Sequence, residues 1–91
     1  MVARIAFTGR KGAALSRAAA MMCNGAKFQL WVVSRIGAAP EGVSAQQHAA
    51  QFVRDVCGIT SRADLDHNVE AATLFHTAVR IPFVEWSGVY G

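Results

Sequence analysis

Apolar and polar positions follow a helical period through most of this chain. In "VSAQQHAAQFVRDVCG", Ala49, Phe52, Val53 and Val56 recur at steps of three and four, while Gln47, Gln51, Arg54 and Asp55 point elsewhere. Ser44 and Gln47 stand at the two positions of a capping box, and Gly58 supplies a left-handed stop, so the pattern predicts a helix between them. Ser61 and Asp64 repeat the box over a short turn. Asn68 then restarts the chain as an N-cap, with Glu70 in the first turn where a negative charge suits the helix dipole. Ala72, Phe75, Val79, Phe83 and Trp86 form a stripe that Pro82 interrupts, because proline cannot donate to the Ala78 carbonyl and clashes with it. A kink, or an end near Arg80 and a new start, is expected there.

Upstream, "ALSRAAAMMCNG" predicts a helix of about ten residues that stops at Asn24 and Gly25, with Leu15, Ala18, Ala19 and Met22 toward the core. The next run, "KFQLWVVSRIG", has β-branched and aromatic residues suited to a strand, yet Phe28, Trp31, Val32 and Ile36 fit one helical face; we read it as a helix. Residues 37–43 form a loop by their glycines and proline. "VARIAFT" alternates like a lone strand and reads as an extended arm or an edge strand. The expected architecture is mainly α, or α+β if that arm pairs: a compact bundle of about four short helices. It is one domain, with residues 1–12 as basic arm and turn, 13–36 as a basic helical half and 44–86 as an acidic-leaning half.

Size and composition sharpen this picture. A 91-residue chain buries only a little over ~60% of the surface it would expose unfolded, so the core must be compact. With 53% hydrophobic and 16% charged residues, it is no disordered tail. A mean hydropathy of +0.26 prompts a search for a membrane span, and no run of roughly 18 apolar residues exists. Arg4, Arg10 and Lys11 also interrupt any signal-peptide core, so a cytoplasmic location is expected. Cys23 and Cys57, each without a second cysteine nearby, fit buried thiols better than a zinc site or a disulfide.

Charge is distributed unevenly. Up to Ile36 there are six cations, Arg4, Arg10, Lys11, Arg17, Lys27 and Arg35, and no acid. From Gly37 onward Arg54, Arg62 and Arg80 face six acids, so the two halves carry +6 and −3. Such polarity is suited to phosphates or to an acidic protein patch, unless the acidic half folds back onto the cations. "TGRKG" is neither a Walker A loop, since Lys11 is followed by glycine and alanine, nor a dinucleotide fingerprint, since only Gly9 and Gly12 are present. The glycines are expected to turn the chain from arm to helix.

No catalytic or cofactor-binding pattern emerges. His48 falls on a polar helix face, and His76 grazes the core boundary. Asp64, Asp66 and His67 crowd a helix start, where capping is simpler than metal binding. Neither cysteine has the base that a nucleophile needs. Most aromatics read as core, while Trp86 and Tyr90, near Arg80, are candidate interface anchors.

The stretches "GAALSRAAAMMCNGAKFQLW", "CGITSRADLD" and "AATLFHTAVRIPFVEW" together resemble a family of small, largely uncharacterised phage and prophage proteins, over roughly Gly12 to Trp86. In that family an alanine-rich helix ends at a cysteine, and a "CGI.SR..LD" turn precedes a final helix with a closing tryptophan. The resemblance implies a non-enzymatic protein of a bacterial host cell that works by occupying a surface. The first expectation is an anti-CRISPR that binds and blocks a Cas effector complex, a host protein or nucleoprotein target, as monomer or homodimer. The alternative is a DNA-binding accessory of phage replication or recombination. Expected partner-binding residues are Arg4, Arg10, Lys11, Arg17, Lys27, Arg35, Arg80, Trp86 and Tyr90; no metal, cofactor or membrane is implied.

Overall fold

A computed structural model of the chain describes the backbone of residues 8–88 and the side chains of residues 15–88. The elements are α1 (Thr8–Cys23), α2 (Ala26–Ile36), α3 (Ala45–Cys57), a 3₁₀ turn (Arg62–Asp66), α4 (Val69–Leu74), a π-helical turn (Phe75–Arg80) and α5 (Ile81–Ser87). The mainly α bundle expected from the periodicity is the fold. The arm over residues 1–7, with Arg4, lies outside the described residues, as does Tyr90.

Local hydrogen bonds mark the element ends. The Ser44 hydroxyl accepts from the Gln47 N–H, and the Gln47 side chain accepts from the Ser44 N–H, completing the first box. Gly58 closes α3 at φ +70°, a left-handed conformation that strains any residue with a Cβ. Ser61 and Asp64 complete the second box, and Asn68 Oδ1 accepts from the Ala71 N–H to cap α4.

Two elements differ from expectation. α1 begins at Thr8, so Gly9, Arg10, Lys11 and Gly12 belong to its first turns and do not form a turn ahead of it. Each glycine costs a helix about 1 kcal/mol against alanine, and the alanine-rich remainder of α1 offsets this. At the other end the backbone stays helical through the proline: a π turn ends at Arg80 and an α-helix begins at Ile81, so the break expected near Arg80 takes the form of a change of helix type. α4, the π turn and α5 run on through right-handed helical residues, with Pro82 in the first turn of α5. The π turn shifts the hydrogen-bond ladder by one residue just ahead of the proline, which has no N–H to offer it.

The core is one cluster fed by every element except the last, α5, which packs Phe83 against it. Trp31 is its centre: its ring lies 5.4 Å from Phe52 at 89°, 5.6 Å from Phe28 and 5.8 Å from Phe83, while Phe28 meets Phe83 edge-on at 5.1 Å. Ala19 and Cys23 of α1, Val53 of α3 and Phe75 and Val79 of the π turn are fully buried around it. On the final stripe Ala71 is buried where Ala72 was expected, and Trp86 is 48% exposed. Ile36 is likewise exposed, not core. Cys23 and Cys57 are both buried free thiols, as the sequence suggested.

Candidate functional site: an arginine pocket and an apolar groove beside α1

α1 packs its inner face, Ala19 and Cys23, into the core, which leaves Arg17 and Met21 exposed one turn apart on its outer face. Met21 is 70% exposed, a large value for a methionine beside a well-formed core. On the two sides of this ridge lie two concavities of different chemistry.

The first, about 460 Å³, sits where α1, α3 and the 3₁₀ turn meet. Arg17, Arg54 and Arg62 line it together with Ser16, Thr60 and Ser61 over Ala20 and Ala63, and no acidic residue lines it. The turn is tied to α1 by the Ser16 N–H, which donates to Asp66 Oδ1 at 3.0 Å. Asp64 is held by its own turn, accepting from the Thr60 hydroxyl and the Ser61 N–H. Arg54 donates to Gln51 Oε1 at 2.8 Å, and Gln51 in turn donates to Asp55 Oδ1 at 2.7 Å. The carboxylates of these elements are thus taken up by local donors, and among the described residues no ion pair joins a cation to a carboxylate. Burial pushes the Cys23 thiol above its ordinary pKa, while Arg62 and, at longer range, the charge of Arg54 pull the other way.

The second concavity, about 310 Å³, is an apolar groove between α1 and the C-terminal helix, lined by Ala18, Met21 and Met22 on one side and Phe83 and Val84 on the other. Arg80 and Ser87 also line it. Trp86, one turn on, stacks on Phe83 with ring centres 6.5 Å apart.

Of the residues expected to bind a partner, Arg17 lines the pocket, Arg80 lines the groove and Trp86 lies beside the groove through Phe83. Arg10 and Lys11 are on the first turns of α1 by their backbone. Lys27 is exposed at the start of α2 and lines neither concavity. Arg35 is exposed and lines neither concavity, and its guanidinium lies 5.6 Å from the centre of the Trp31 ring. Sequence reasoning missed Arg54 and Arg62, which it assigned to the acidic half; the signal for Arg62 was its place directly after the Ser61 cap.

The other polar candidates are occupied structurally. His48 Nε2–H donates to the Gly37 carbonyl at 2.9 Å and so closes the loop between α2 and α3. His76 packs its ring 5.9 Å from Phe75, and His67 is exposed at the C-terminal end of the 3₁₀ turn. Among the described residues no three His, Cys, Asp or Glu side chains gather into a metal-binding group, and no helix is long and apolar enough to cross a membrane. No protein-family model, curated protein or solved structure matches this chain.

Proposed function

We propose that the protein acts without catalysis, by docking the outer ridge of α1 onto a partner protein. The observation that carries this reading is the juxtaposition on one ridge of a cationic pocket, reached by Arg17, and an apolar groove, edged by Met21. Protein interfaces are enriched in arginine, methionine and aromatic residues, and fully buried anchors supply most of their energy. A phosphate-tracking surface would instead spread cations along the strand path. The fitting partner is an acidic segment that carries a large apolar side chain: the acid meets Arg17, and the apolar group fills the groove between Met21 and Phe83. The non-catalytic reading is supported by the commitment of Asp64, Asp66 and His48 to structural hydrogen bonds and by the burial of both cysteines.

The partner class implied by the phage-protein resemblance, a Cas effector complex, is the first to test. Immobilised protein is expected to retain the effector complex of its host, and Met21→Asp with Arg17→Glu to lower that affinity at least about tenfold, a loss typical of anchor residues. Lys27→Glu should bind as wild type does. Arg17→Glu and Lys27→Glu should melt nearly as wild type does, since exposed charges contribute about 0–1 kcal/mol, while Met21→Asp should cost about 1 kcal/mol more because it puts an acid in the last turn of α1. Binding to random duplex or single-stranded DNA with a steep salt dependence would replace this reading with the DNA-accessory one. Retention of the complex by the Met21, Arg17 double variant would remove the ridge from it.

A further inference from the structure

We propose that the pocket among α1, α3 and the 3₁₀ turn is a site for a terminal phosphate monoester. The inference goes beyond partner docking and does not depend on it. Three arginines, Arg17, Arg54 and Arg62, line the same concavity from three separate elements, and no acid lines it. A carboxylate carries one charge and is satisfied by one arginine fork. A phosphate monoester carries about two charges near neutral pH and three oxygens for further forks, which suits the surplus here.

The surrounding chemistry agrees. Asp64 and Asp66, the acids of the 3₁₀ turn, accept from the Ser61 and Ser16 backbone N–H groups, which ties these carboxylates to the backbone, and neither lines the pocket. The Ser61 hydroxyl accepts from the Ala63 N–H and still carries a proton to give a ligand oxygen. Arg54 is braced by Gln51, whose Oε1 accepts from its guanidinium at 2.8 Å, so one of the three forks is positioned before a ligand arrives. Internal phosphodiesters carry one charge each and recur along a strand, where cations distributed along a track serve best. This pocket concentrates its cations at one place. Its volume, about 460 Å³, lies within the range of small-molecule sites and leaves room for the sugar or nucleoside behind the phosphate.

The test uses the full chain at low ionic strength, titrated with inorganic phosphate, adenosine 5′-monophosphate, adenosine and acetate, and followed by the arginine Nε–H resonances and by calorimetry. Saturable binding of phosphate and the monophosphate is expected, centred on Arg54 and Arg62 and at least about tenfold tighter than adenosine or acetate. Arg62→Gln and Arg17→Gln should each weaken it about tenfold, while Lys27→Gln changes nothing. Arg17 is exposed, so its variant tests the site even if changes at Arg62 disturb the fold. A 5′-phosphorylated oligonucleotide that binds more tightly than the mononucleotide would assign the phosphate to a strand end, and equal binding to a free metabolite. Absence of saturation, equal affinity for acetate, or unchanged binding in the Arg17 variant would overturn the proposal. Loss of partner retention with phosphate binding intact would instead overturn the docking reading alone.

Discussion

At the scale of single residues, side chains here divide between those that fill the core and those that reach outward, and the two cysteines show how burial sets chemistry. Burial alone pushes the Cys57 thiol from its ordinary 9.0 up to about 11. The native state therefore holds the thiol's proton through a range in which the unfolded chain releases it. Stability from this group is fully present below pH 9.0 and is lost as pH rises toward about 11. Cys57→Ser is expected to flatten the fall in stability between those limits, read as the difference between the variant and wild-type urea midpoints at pH 8 and pH 10.5. Parallel midpoints would mean that the thiol is solvated in the native state. Arg35 belongs to the same scale: the sequence marked it as an outward cation, and its guanidinium also lies over Trp31, a buried ring of the aromatic cluster.

At the scale of elements, what the sequence disclosed was what four consecutive residues decide among themselves. Ser44 with Gln47, Ser61 with Asp64, Asn68 and Gly58 all act where expected, because a cap needs only partners within one turn. Ser44→Ala is expected to cost about 1 kcal/mol, and Gly58→Ala about 1–2 kcal/mol through its positive φ. For a chain this size each kcal/mol lowers the melting temperature by roughly 4–8 °C, which calorimetry resolves. A Gly58→Ala variant as stable as wild type would mean that α3 ends in another conformation. The two elements that differed were settled at longer range. Nothing near Pro82 in the sequence dictates the π turn ahead of it; with that turn Phe75 and Val79 are buried on one side of the proline and Phe83 lies against Phe28 and Trp31 on the other. The glycines at 9 and 12 gave the local signal for a turn, and a helix sixteen residues long runs through them. The arginine pocket was hidden for the same reason: Arg17, Arg54 and Arg62 are far apart in the chain and meet only because the 3₁₀ turn docks on α1.

At the scale of the whole molecule, charge and packing divide the chain differently. By charge the two halves look separate, but neither owns a core. Trp31 of the basic half is buried by Phe52 and Phe83 of the acidic one, and Ala19 and Cys23 of α1 sit in the same cluster as Val53, Leu65 and Phe75. A basic half with its own stability would let the outer ridge of α1 persist while the rest opened; a shared core forbids it. The chain should therefore unfold in one step. In a Trp86→Phe variant the remaining indole is Trp31, whose emission reports contacts among α2, α3 and α5, while circular dichroism at 222 nm reports all the helices. The two urea transitions are expected to coincide in midpoint and slope. A fluorescence transition that precedes the loss of helix would mean that Trp31 is freed while helical structure persists, and the one-step expectation would fail. If the transitions coincide, any variant of Arg17, Met21 or Arg62 that keeps the wild-type midpoint has an intact ridge, and its loss of binding can be assigned to the side chain it lacks.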